Sequence, residues 1–358
     1  MNLSIIKSAS TLLLLTITFT FFSSFISAAN PLTDSATISI NNTKLAYFAE
    51  RNARLAATKN ISTLSTEFDL DADLSNLAYT GQVKSTPASA TSFIASTHIS
   101  QKDSAFSISY DRLTKDLITR VNNPKSLNQG QETNFCWAAA FSTFLLRKDP
   151  QGIAKAIIGL YQTGTFHYAN VSITPAKEII ANIGTETFAN NAELNDNVID
   201  QMLLMTLASE YKGYINFDRN YNSGDEEKAT YAGRPIGAYN KVFNDFGITH
   251  RRVGSDFGWT GDNAAELQSL NSDNTVFLYI NSGFFFRGAK VPVTGSHYVI
   301  LEDINITDGQ VTFTYWDYGH ENGRTVTMSQ NKFNHGTFGA IIVPNDNYKN
   351  GLANNFAE

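Results

Sequence analysis

The chain has 358 residues, 42% of them hydrophobic, which is enough for one large domain or two small ones and argues against wholesale disorder. A net charge of −6 and an isoelectric point near 5.6 argue against a dedicated nucleic-acid binder, whose mark is a basic face. A single cysteine excludes an intrachain disulfide framework and any multi-cysteine zinc or iron–sulfur site.

In chain order, residues 1–29 read as an export signal. Lys7 is the one charge there, the apolar stretch TLLLLTITFTFF follows, and the small residues Ser27, Ala28 and Ala29 precede Asn30-Pro31. The competing reading is a membrane anchor, but Thr and Ser interrupt the run and no Lys/Arg cluster follows it. The expected location is secreted or periplasmic, with no stable membrane anchor after cleavage. Residues 30–125, rich in Ser, Thr, Asn and Ala, read as a separate N-terminal region and candidate propeptide. Within it a helix is expected over Lys44–Thr58, and alternation predicts strands over Phe93–Ile99 and Phe106–Tyr110.

From residue 126 to about 345 the texture tightens, leaving 346–358 as a tail. CWAAAFSTFLL, Cys136–Leu146, predicts an apolar helix closed by Arg147, Lys148 and Pro150. Helices are expected at Ile153–Tyr161, Pro175–Ile183, Asn197–Tyr211, Gly237–Phe246 and Asn263–Leu270, with a polar loop over 212–235. Strands are expected at Thr275–Ile280, His297–Ile306, Val311–Trp316 and Gly339–Val343. Helices first and strands later predict an α+β fold with segregated layers.

Cys136 begins its helix, where unpaired N–H groups and the positive dipole end favour a thiolate, the nucleophilic form. A buried structural cysteine is equally compatible with that position. A base is needed, and the histidines are His98, His167, His250, His297, His320 and His335. His297, after Gly295-Ser296 at the start of an apolar strand, is the best placed to face a cleft; the bland alternative is a strand histidine bonded to nearby backbone. Asp317, ending the strand VTFTYWD, is the candidate third group, against the alternatives of a turn cap or a solvated acid. Thr307-Asp308-Gly309 marks a hairpin between the two strands. A two-residue loop at 308–309 sets Asp317 opposite Ile300, on the face away from His297. A three-residue loop at 307–309 sets it opposite Val299, on the face His297 shares. A working His–Asp pair therefore predicts the three-residue loop.

Gln, N-F-C-W-A-A, G-S-H-Y-V-I-L and Y-W-D-Y-G, in that order, resemble the papain superfamily of cysteine proteases. The closest likeness is to its bacterial secreted, effector and immunoglobulin-cleaving members, over about 126–345. The resemblance implies a two-lobed fold, with a helical lobe carrying the nucleophile and an antiparallel β lobe carrying His and Asp. It implies Cys136 as nucleophile, His297 as base and Asp317 as orienting acid, acting on a protein or peptide substrate without metal or cofactor. It also implies a glutamine donor to the oxyanion: Gln131, with Gln129 as the alternative, neither at the family's usual six-residue spacing. The backbone N–H of Cys136 would be the second donor.

Two other readings use the same residues. A transglutaminase- or deamidase-type acyltransferase shares the Cys-His-Asp chemistry, and a noncatalytic binding module could use the same scaffold. Asp69–Asp73 imitates a calcium loop, but Leu74 and Thr80 occupy the positions that need Gly and Glu. Gly283–Gly288 has phosphate-loop spacing without the following Lys-Ser/Thr.

Overall fold

The computed structural model describes residues 84–100, 104–130, 133–184, 197–211, 234–256, 258–270, 273–286 and 296–345. The expected export signal, the Lys44–Thr58 helix, the Asp69–Asp73 stretch, Gln131, most of the 212–235 loop and the 346–358 tail lie outside them.

Helices come first. α1 (Pro87–Ser96) starts on a reciprocal cap: Thr86 Oγ1 accepts from Ser89 N and Ser89 Oγ accepts from Thr86 N, both at 3.1 Å, with Pro87 at the first helical position. This cap overrides the alternation at Phe93–Ile99, which is largely helix and not strand. The strand expected at Phe106–Tyr110 is likewise a bend, ending where Ser109 caps α2 (Tyr110–Asn122). Leu113, Leu117 and Val121, four residues apart, form the buried stripe of α2.

α3 (Cys136–Lys148) is buried at every position from Trp137 to Leu146, and Arg147 and Lys148 complement its C-terminal dipole. Pro150 does more than end it. Pro150 opens α4 (Pro150–Thr163), which Asp149 caps by accepting from Gly152 N at 3.0 Å. The short hairpin β1 (Phe166–Tyr168) and β2 (Val171–Ile173) follows, then α5 (Lys177–Asn182), α6 (Val198–Glu210) and α7 (Ile236–Asp245). α1 and α2 share one buried apolar cluster with α3, α4 and α6, so the division expected at residue 125 passes through this layer. Ser85 adds a polar tie to the α3–α4 corner, donating to Asp149 Oδ1 at 2.6 Å and accepting from Gln151 N at 2.9 Å.

The C-terminal third is a six-stranded, wholly antiparallel sheet in the order β3 (Arg251–Gly254), β8 (Thr337–Pro344), β4 (Asn274–Asn281), β5 (Ser296–Thr307), β6 (Gln310–Asp317), β7 (His320–Ser329). α8 (Asn263–Leu270), α9 (Ser282–Phe286) and α10 (Gln330–Gly336) lie between strands in the chain. One sheet face, including Phe277, Tyr298 and Trp316, joins the helical cluster. The other, including Leu278, Val299 and Phe313, packs with Leu267 of α8 and Phe333 of α10. Burial on both faces explains the unbroken apolar runs of β4 and β8. The fold is α+β, with the large helical layer on one face of an antiparallel sheet and α8 and α10 on the other.

The β5–β6 turn departs from expectation. Thr307 pairs with Gln310, so the loop is the two residues Asp308-Gly309, at φ 50° and 70°. Both central residues are left-handed, which matches the strand twist and suits Asp-Gly. Yet the ladder shifts between Leu301 and Asp303, so that Leu301 pairs with Tyr315 and Ile300 with Trp316. Glu302 is the extra residue of this bulge. The next pairing position sets Asp317 against Val299, the register required for a shared face with His297. A bulge replaces the third loop residue. It also lets Leu301 and Ile304, an odd number of residues apart, both enter the second cluster.

Candidate active site

Cys136 opens α3 and is the chain's lone, free and partly buried cysteine. Phe135 precedes it with no side-chain cap, and the first turn carries no acid. The amides there are oriented toward a negative charge at the helix start. Ten consecutive buried residues behind the thiol hold the helix in place.

His297, the second residue of β5, is 14% exposed at its side chain, and Asp317, the last of β6, is 10% exposed. His297 Nε2–H donates to Asp317 Oδ1 at 2.7 Å, and Cys136 lies close enough to the imidazole to interact with it. Burial alone would lower the imidazole pKa. The Asp317 charge and hydrogen bond, with a further contribution from Cys136, overcome it and push the value up to about 10. Asp317 shows the reciprocal effect: burial opposes its charge, but His297 and then Arg324 hold its carboxyl below the usual range. The site therefore favours imidazolium beside carboxylate at neutral pH.

Two further groups hold the carboxylate. Tyr318 N donates to Asp317 Oδ1 at 3.0 Å, and Arg324 Nε lies 3.7 Å from Oδ2. The Tyr318 ring meets the His297 ring edge-on at 5.6 Å between centroids. The turn after Asp317 is pinned from the helical side, where Gly319 N donates to Leu127 O at 3.0 Å and Trp316 Nε1 donates to Lys125 O at 2.8 Å. Gly319 has φ 70°, and a Cβ there would sit 3.4 Å from the Asn128 amide. Asn128 N in turn donates to Asp200 Oδ2 at 3.0 Å. Asp200 is a buried carboxylate 2.7 Å from Arg120, with its pKa raised to about 6 chiefly by burial.

Gln129 is 2% exposed, and its Nε2 donates to Thr133 O at 3.2 Å while Thr133 Oγ1 donates back to Gln129 O at 2.5 Å. Its amide thus braces its own loop. The other histidines are engaged elsewhere. The two ring nitrogens of His250 contact Ile248 O at 2.7 Å and the Asn240 amide at 2.8 Å, His335 contacts Asn331 O, and His320 meets Arg324. His98 packs edge-on against Tyr110, and His167 is exposed on β1. Among the described residues, no group of three or more His, Cys, Asp or Glu could hold a metal.

Sequence reasoning named Cys136, His297 and Asp317, and it did not name Tyr318, Arg324 or Asn128, which surround them in the structure. Tyr318 was legible, since Y-W-D-Y-G-H contains a two-residue turn, Tyr318-Gly319, between Asp317 and its partner His320. Arg324 pairs with Tyr315, beyond a second register shift, and is not reached by counting from that turn. The chain matches no protein-family model, no curated protein and no solved structure.

Proposed function

We propose that the protein is a secreted papain-like cysteine peptidase with Cys136 as nucleophile, His297 as general base and acid, and Asp317 as orienting acid. The observation that carries the reading is His297 held between Asp317 and Cys136, with the thiol at the uncapped start of a buried helix. The chemistry needs those parts in that order. The thiolate attacks an amide carbonyl to give a tetrahedral oxyanion, His297 protonates the departing amine, and an acyl-enzyme remains. His297 then takes a proton from water, which attacks the thioester and frees the acid. The Cys136 N–H is one oxyanion donor in this reading, and Gln131 is the other in preference to Gln129, whose amide is engaged with Thr133.

The helical layer with Cys136 and the antiparallel sheet with His297 and Asp317 would be the two lobes. Export rests on the residues 1–29 pattern; among the described residues no helix is long and apolar enough to cross a membrane. If the protein is made as a zymogen, the removable part ends before Lys84, because α1 and α2 belong to the core around α3.

The test is labelling with a general papain-family epoxide, read by peptide mass spectrometry, beside a peptide-cleavage assay. Stoichiometric modification of Cys136, lost in His297→Ala, supports the reading. Absence of modification overturns it. Ammonia release or isopeptide formation without peptide cleavage would move the assignment to a transglutaminase- or deamidase-type acyltransferase.

A further inference from the structure

α3 and β5 pack against each other, and each carries one member of the reactive pair at its start. They are joined again where the last turn of α3 meets the middle of β5. Arg147 Nη2, in the last turn of α3, donates to Glu302 Oε1 at 2.8 Å, and Glu302 is the bulge residue of β5. Lys125 Nζ donates to the other oxygen, Oε2, at 2.6 Å. The lengths agree. Cys136 to Arg147 is eleven residues of helix, about 16 Å at about 1.5 Å each. His297 to Glu302 is five residues of strand, about 16 Å at about 3.3 Å each. Helix and strand therefore run side by side in the same direction, with the reactive pair at their starts and the ion pair about 16 Å further along each.

A buried apolar interface resists separation, but it opposes sliding of a helix along a strand less well than a directional polar tie does. The Glu302 carboxylate supplies that tie at the one place where β5 departs from regular pairing. Lys125 extends it to β6, since its carbonyl accepts the Trp316 indole N–H beside Asp317. One carboxylate thus links the elements that bear Cys136, His297 and Asp317. Its 22% exposure leaves it partly shielded from water, and Lys125 and Arg147 hold its pKa down against burial.

We propose that Glu302 is a positioning residue that sets the axial offset of the Cys136 helix against the His297 strand, through Arg147 and Lys125. This rests on the peptidase reading of the site. Misplacement of reacting groups by about 1 Å can cost about a hundredfold in rate, so a loosened clamp is visible in chemistry before it is visible in folding.

The experiment measures the second-order rate of Cys136 alkylation by iodoacetamide against pH in full-length protein, with thermal unfolding alongside. The variants are Glu302→Gln, Glu302→Ala and Arg147→Gln. The control is Glu266→Gln, which breaks a comparably exposed ion pair, Arg251–Glu266 at 2.9 Å, away from the reactive groups. The Glu302 and Arg147 variants should lose about tenfold or more in neutral-pH alkylation, with an altered rate-against-pH profile. The control should keep the wild-type profile whatever stability it loses. Glu302→Gln, equal in size, carries the test if Glu302→Ala does not fold. Wild-type rates and pH profile in folded Glu302→Gln and Arg147→Gln would overturn the positioning role and leave the peptidase reading intact. A wild-type Cys136 that is alkylated no faster at neutral pH than in the His297→Ala protein would overturn both.

Discussion

The two ends of the β5–β6 hairpin are built differently. At the turn end the ladder is regular, the connection is Asp308-Gly309 with both residues left-handed, and Thr312–Thr327 and Thr314–Thr325 hydroxyl pairs lie exposed at 2.8 Å. At the other end the ladder has slipped by one residue, and His297 and Asp317 are largely buried and joined at 2.7 Å. The first end is specified by local chemistry, a turn whose residues suit its dihedrals. The second is specified by distant partners, through Glu302, Trp316 and Gly319 on the segment around 125–128 and on α3. Substitutions at the turn end should change stability alone, and substitutions at the buried end should change chemistry first.

The largest effect expected is from Cys136→Ala, which should abolish turnover and epoxide labelling while leaving the thermal transition within a few degrees of wild type. Cleavage retained by this variant would remove the cysteine from the mechanism. Asp317→Asn comes next. It leaves His297 without the charge that raises its pKa, and neutral-pH alkylation of Cys136 should fall by about 10²-fold or more, measured by stopped reaction and mass spectrometry.

The same pair gives a pH signature in stability. His297 has a folded pKa raised to about 10, so its contribution is complete below its unfolded value of about 6.5 and is lost as pH rises toward 10. Asp317, with a lowered folded pKa, contributes above about 3.9 and loses that contribution as pH falls through its folded value. Urea unfolding of wild type and His297→Gln should therefore differ most between about pH 4 and 6.5 and converge toward pH 10. A gap that widens above pH 7 would contradict the ion pair.

Gly309→Ala tests the other end. At φ 70° an alanine is strained, and the loss should be about 1 kcal/mol in urea unfolding with an unchanged alkylation profile. Smallest is Thr312→Val, which removes one exposed hydroxyl pair and should change stability by about 0.5 kcal/mol or less, again without any effect on Cys136.

Much of this was legible in the sequence. The buried run CWAAAFSTFLL identified α3, and the apolar strands of the last third appear within a residue or two of their expected bounds. The failures have physical causes. Alternation at Phe93–Ile99 lost to the Thr86–Ser89 cap and Pro87, which commit the segment to helix. The hairpin arithmetic required the right register and assigned it to the wrong device, because a regular ladder was assumed up to the turn. The break in period at L-E-D-I, where apolar residues fall at 299, 301, 304 and 306, was the available signal for a bulge. Gln129 could be proposed as an oxyanion donor because counting residues from Cys136 does not reveal that Thr133 already engages its amide. Arg324 was invisible because its place beside Asp317 depends on a register shift between β6 and β7.

The separation of the reactive groups along the chain also governs when reactivity can arise. About 160 residues must be added after Cys136 before His297 is made, roughly 10 to 30 s at about 5–20 residues per second. Over that interval the thiol has no imidazole to pair with, and Asp317 arrives later still. In the proposed mechanism, gene order alone delays the pairing of thiol and imidazole until the β5–β6 hairpin closes over a helix synthesised much earlier.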